Sequence, residues 1–461
     1  MGHIAWNITI AFLPILAQPV HPAVHRQAES APANSELLQK WNDCLKRSAK
    51  EHVAIAQYCV QKNLFRQASL DFSRARGLDR ENADVKIGIG EREARDEGNV
   101  DYKMAQIKIV DAKRSACVPK IINEMLAFAK AAEKLKDSAL TGRAYGMILD
   151  YNPNHEIANK ALGRKKENNI WVHPRVAATK TALQERIKNA KIETDLAPHA
   201  FEKRSGLKFQ KLKSANYQFF GTIEPAPLRE LICAAEASLC QIASSLQIKL
   251  PLAQAPVIGV FLAKEEEHAA FVDACSSGDK EHYKKFTTSW VIQPRAFETC
   301  AEFRYAIEIS LHHGVVHDLL EFLAKGEPPA WIVEGTGYWI MRYFSDIFFL
   351  SCATLPLAVP VAVRPNENAG AWMNTIRANV RDGVDGTVAE ILTTKFRTPE
   401  LMRKIWSFVD YLITKRPEGF VSYLRDGHYK KDPVNGLAVA CGVANLETLD
   451  QEWRDFVREY Y

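Results

Sequence analysis

Ser310-Leu311-His312-His313-Gly314-Val315-Val316-His317, with Pro328-Pro329-Ala330-Trp331-Ile332-Val333-Glu334-Gly335 close behind it, is the stretch on which the reading of this chain turns. His313 and His317 are spaced i, i+4. On a helix that spacing puts both imidazoles on one face, about 6 Å apart, within reach of a shared metal ion. His312 cannot join the same ion, because successive helical residues point about 100° apart. It reads instead as a hydrogen-bonded structural histidine. A third ligand has two acidic candidates. Glu321 continues the stripe past His317, but it lies eight residues from His313, about 12 Å along a helix. One ion held at about 2 Å from each ligand does not easily span that distance. Glu334 follows the Gly326-Glu327-Pro328-Pro329 turn, which reverses the chain into a second helix. A carboxylate returning from a facing helix can close a tetrahedral site, and Glu334 is the choice.

His-x-x-x-His, a short helical continuation, Pro-x-Trp-x-x-Glu-Gly and then an aromatic residue together resemble the gluzincin metallopeptidases, in particular the peptidase MA-like family of bacterial exported proteins. That family has H-E-x-x-H followed at a similar distance by P-x-W-L-x-E-G-x-A-x-Y. The resemblance implies that His313, His317 and Glu334 are zinc ligands, framed by Trp331 and Gly335. Two positions depart from the pattern. Gly314 stands where the family has the Glu that takes a proton from metal-bound water. Trp339 stands where the family usually has Tyr, and Tyr338 falls one residue early. The ligands are kept and the general base is not, so no catalytic residue is assigned. Losing a positioned base costs roughly 10²–10⁴-fold in rate, whereas the missing Glu is not a ligand and zinc affinity need not fall with it.

The expected fold class is α+β and mostly helical: a helical-repeat N-terminal region, then a zincin-type domain with a small sheet, the H-x-x-x-H helix and C-terminal helices. The expected organisation is a signal peptide over 1–23, a linker over 24–35, a tetratricopeptide-like region over 36–175, a basic connector over 176–204 and the gluzincin domain over 205–461. Ile4 to Ala17 is apolar and too short for a membrane span, which needs about 20 residues. It reads as a signal-peptide core, so an exported chain, periplasmic or extracellular, is expected, with a cytoplasmic location as the alternative. No later stretch reaches transmembrane length.

Net charge is +5 over 461 residues, too slight to call for a nucleic acid partner. The basic excess is local: Lys160 to Lys213 holds 14 Lys and Arg against 5 Asp and Glu. It reads as a solvated, lysine-rich linker and helix surface. The nine cysteines are scattered without a C-x-x-C pair, and most read as small buried hydrophobes. Cys233 and Cys240, two helical turns apart, are too distant to bridge.

From Glu36 to Gly163 apolar positions recur at three and four, as in Leu64, Ala68, Phe72, Ala75 and Leu78. Helix endings at Leu78-Asp79 and Leu149-Asp150 lie 71 residues apart, close to two tetratricopeptide periods of about 34. Trp171 reads as a packing anchor and His173 as structural. A charged helix is expected from about Ala178 to Lys191. Further on, Leu207–Ile223 reads as a strand pair, Pro227–Leu246 as a helix, and Pro256–Leu262 and Thr287–Ile292 as strands. A long helix is expected from Thr299 to Leu323. Residues 364 to 386, rich in Asn, Gly and Arg, read as a loop, and Thr387 and Thr398 as caps of closing helices. One edge of the small sheet should take up substrate backbone, as the resemblance implies.

Three functions follow. The first is an exported pseudopeptidase that holds zinc and binds protein or peptide through its cleft and helical repeats. The second is an active zinc peptidase with a base from elsewhere, such as Glu308. The third is a helical scaffold whose metal site is empty.

Overall fold

The computed structural model describes residues 32–79, 100–167, 169–194, 196–250, 256–275, 280–284, 288–292, 296–300, 304–344, 369–394 and 398–461. The fold is α+β and mostly helical, as expected. The first 31 residues, where the signal peptide was expected, lie outside the described residues. No helix among the described residues is long and apolar enough to cross a membrane.

The N-terminal region is built from two helical hairpins of the same design. Pro32–Gln61 turns back into Phe65–Leu78, and Val100–Lys134 into Ser138–Tyr151. Each turn places a non-glycine residue in the left-handed region, Asn63 at φ 56° and Lys136 at φ 57°. The backbone amides of Leu64 and Asp137 then bond to Cys59 and Ala132, five residues back, and cover carbonyls that the helix ends leave open. Alanines at the interface (Ala49, Ala56, Ala68, Ala75, Ala129, Ala132) let the helices approach closely around Trp41, Phe72 and Phe128. A tetratricopeptide unit fits two helices into about 34 residues. Here the first helix alone has 30 or 35.

Lys165–Glu167 (β1) and Ile170–Val172 (β2) then form a short antiparallel hairpin. It leads into Pro174–Asn189, a helix with proline in its first turn and the Nδ1 of His173 accepting from the amide of Arg175 as its cap. The segment read as a solvated connector is therefore partly docked. Leu183 belongs to the main core, and the helix lies against Pro225–Ser245.

The larger sheet holds Gln210–Lys213 (β3), Tyr217–Gly221 (β4), Val257–Leu262 (β5), Thr288–Ile292 (β6) and Ala296–Cys300 (β7), in the order β3-β4-β5-β7-β6. β4, β5 and β7 are parallel, and β3 and β6 run antiparallel at the two edges. Successive strand residues face opposite ways. Phe219 and Phe261 therefore enter the main core with the helices, while Phe220, Val260 and Leu262 face a small aromatic cluster around Phe201, Phe209 and Phe271. The outer side of β3 carries a bridge from Glu193 to Lys213.

Two expectations are corrected. The long helix begins at Arg304, not Thr299, because Ala296–Cys300 is a fifth strand completing the sheet beside β5. And 369–382, read as part of a loop, is a helix, with Trp372, Ile376 and Val380 buried at helical spacing. Composition hid a period of 3.6 that the positions of those three residues carry. The caps at Thr387 and Thr398 are present, accepting from the amides of Glu390 and Leu401.

The helical hairpins are fastened to the C-terminal helices by buried charge. Arg74 makes two bonds to Asp382, at 2.6 and 2.9 Å. Arg377, 1% exposed, meets Asp150 at 2.9 Å and the carbonyls of Gly146 and Val457. A Cβ at Gly146 would stand 2.8 Å from the carbonyl oxygen of Arg458, so the second hairpin touches the last helix, Leu446–Tyr460, backbone to backbone.

Candidate functional site

The histidine helix, Arg304–Ala324, follows β7 and packs against it and against three helices: Pro225–Ser245, Pro417–Arg425 and the glutamate helix Ala330–Met341. Two features seat the glutamate helix. Trp331 is 3% exposed and packs on Phe408 and Tyr423, with ring centres 6.0 and 6.3 Å away. Gly335 lies so close to Pro399–Lys415 that an added Cβ would fall 2.5 Å from Val409 Cγ2 and 3.1 Å from Ile405 Cγ2. The residues on either side of Glu334 in the motif are thus those that set the helix at its depth.

His312 is buried at 2% exposure. Its Nδ1 lies 3.1 Å from Ser238 Oγ on the neighbouring helix, and its ring is 4.4 Å from that of Phe344. Burial pushes its pKa down to about 3, so the ring is neutral. The reading of His312 as structural agrees with this geometry, and its partner Ser238 carried no sequence signal. His312 thus anchors this side of the helix against Pro225–Ser245.

His317 is half-buried, and its Nδ1 is 3.5 Å from Glu321 Oε1, one turn on. Glu321, set aside as a ligand by distance, thus contacts the second histidine. This i, i+4 contact was visible in the spacing. A carboxylate beside Nδ1 is the kind of orienting partner that ligating histidines usually have. Glu334 is 4% exposed, on the helix packed against that of His317. His313 lies on the helix backbone, and its side chain is outside the described residues, as is that of Glu308. Among the described residues no group of three His, Cys, Asp or Glu side chains is arranged to hold a metal. Gly314 is buried and offers no side chain.

Behind the site, Asp410 is fully buried and receives Trp339 Nε1 at 2.9 Å, Arg342 Nη1 at 2.8 Å, Arg175 Nη2 at 3.0 Å and the Tyr461 hydroxyl at 3.1 Å. Burial alone would raise its pKa, but Arg175 and Arg342 hold it down to about 2. Trp339, which departs from the motif, uses its indole N–H here.

Comparison with protein-family models, characterised proteins and solved structures finds no match to this chain.

Proposed function

We propose that this chain is a zinc-metallopeptidase-like protein of gluzincin type, impaired in hydrolysis, which holds zinc through His313, His317 and Glu334 and binds protein or peptide ligands. The observation that carries this reading is the packed helix pair, with histidines at i, i+4 on one helix and a buried carboxylate on the other. Two imidazoles and one carboxylate are a donor set suited to zinc with an open fourth position. A bound zinc ion would polarise a carbonyl or lower the pKa of a water. The chain's own part is orientation: Glu321 lies beside Nδ1 of the His317 ring, and Trp331 and Gly335 fix the depth of Glu334. At position 314 the chain supplies no group to accept a proton, which is why hydrolysis is impaired. The antiparallel edge strand β6 precedes β7 and the histidine helix, and it is the edge assigned here to peptide backbone. An exported location remains part of the proposal.

Metal analysis of the purified chain beside a His313→Ala/His317→Ala variant tests the reading. One zinc per chain in the wild type and none in the variant is expected. Wild-type peptide cleavage that disappears in the variant would instead establish an active peptidase. Absence of zinc from both would leave a helical scaffold. Gly314→Glu should restore measurable cleavage to a zinc-loaded chain.

A further inference from the structure

An open groove of about 760 Å³ lies at the C-terminal end of the histidine helix. Its apolar lining is Ile248, Phe322 and Leu323, and Phe322 is 44% exposed. Lys249, Lys325 and Arg425 stand around it. These cations come from three separate elements: the segment after Pro225–Ser245, the turn after the histidine helix, and the end of Pro417–Arg425. The helix dipole alone would account for Lys325, but not for the other two. Lys430 adds a fourth charge, its Nζ 3.6 Å from where a Cβ on Gly326 would sit. The groove has one carboxylate, Glu321, which faces His317. Some other surface cations are matched, Lys211 with Glu202, Lys415 with Glu459 and Arg416 with Glu452. Among the described residues Lys249, Lys325 and Arg425 have no carboxylate partner.

We propose that this groove binds an acidic peptide segment carrying one large apolar side chain, which covers Phe322 and Ile248 while its carboxylates face Lys249, Lys325 and Arg425. Charge complementarity selects an anionic occupant. The exposed phenylalanine calls for apolar cover, which a free anion does not give. The small apolar area, one exposed ring beside the half-buried Ile248, suits a single side chain of a peptide better than a bilayer. The single aromatic ring argues against a nucleic acid strand, which takes a series of stacking platforms. The inference does not depend on zinc at the neighbouring site.

The test is fluorescence anisotropy of the full chain with a labelled peptide in which one Phe is flanked on both sides by Asp and Glu. Saturable binding that weakens with salt and persists in chelator is expected. Lys325→Glu/Arg425→Glu should weaken it by on the order of tenfold or more, and Phe322→Ser by roughly tenfold. All three positions are exposed, and unchanged circular dichroism will confirm that the variants are folded. Equal affinity for a peptide with Asn and Gln in place of the acids would overturn the proposal, as would variants that bind like the wild type. Failure of the acidic peptide to bind would also overturn it. So would an oligonucleotide or a phosphatidylserine vesicle that binds in its place and is released by the charge reversal.

Discussion

Gly335 shows how much a single missing atom can specify. The glutamate helix can lie where it does only because position 335 has no Cβ, which would otherwise enter Val409. Gly335→Ala should therefore destabilise the protein by about 1–3 kcal/mol, the usual cost of overpacking a dense core. Val409→Ala in the same chain should recover part of the loss, and chemical denaturation of the single and double variants measures both effects. If Gly335→Ala were neutral, the two helices would not be in the contact described. At this scale the sequence was legible where spacing encodes geometry, as with the i, i+4 contact of His317 and Glu321 and the structural place of His312. It was silent on Ser238, which meets His312 across a distance of 74 residues. Nothing local to a serine on an amphipathic helix announces such a partner.

At the scale of elements, legibility followed length and period. The helices at 225–245 and 399–415 carry unbroken patterns with proline in the first turn, and the strands at 217–221 and 257–262 carry unbroken apolar or aromatic patterns. Ala296–Cys300 was missed because five residues with a central Glu make no apolar run, and its pairing depends on β5, distant in sequence. The helix at 369–382 was missed because asparagines, glycines and arginines surround its buried stripe. The 174–189 helix offers a test of a capping side chain. Burial, with Arg164, Arg175 and Arg342 nearby, pushes the pKa of His173 down to about 3. The unfolded chain protonates this ring near pH 6.5 and the folded chain does not. Stability therefore falls as pH drops from about 6.5 toward 3, by at most ~1.4 kcal/mol per pH unit from this residue. His173→Asn keeps a cap acceptor and removes the titration. The loss of stability between pH 6.5 and 4.5, followed by urea unfolding, should be smaller in that variant. An unchanged acid slope would show that His173 does not contribute to it.

For the whole molecule, the question is whether the helical hairpins act as a separate arm. Arg74 and Asp382, 11% and 12% exposed at their side chains, are paired across that junction. Arg377 and Asp150 form a second pair, both nearly fully buried. Removing one member of a buried pair leaves the other uncompensated, at roughly 3–5 kcal/mol. The wild type should therefore unfold in one calorimetric transition, and Arg74→Ala/Arg377→Ala in two, with the hairpins melting first. Two transitions in the wild type would show that these ion pairs do not couple the parts.

Asp410 sets an order on how the chain is made. Its partners come from Arg175, Trp339, Arg342 and Tyr461, so two arginines and an indole leave the ribosome well before the acid they surround, and a tyrosine follows well after it. Until residue 461 has emerged, the centre of the C-terminal helices lacks one of its donors. The hairpins at 32–78 and 100–151, whose contacts are mostly local, can form during synthesis. The C-terminal helices can close fully around their acid only after residue 461 has been made, so the first part of the chain is able to fold well before the last part has all its partners.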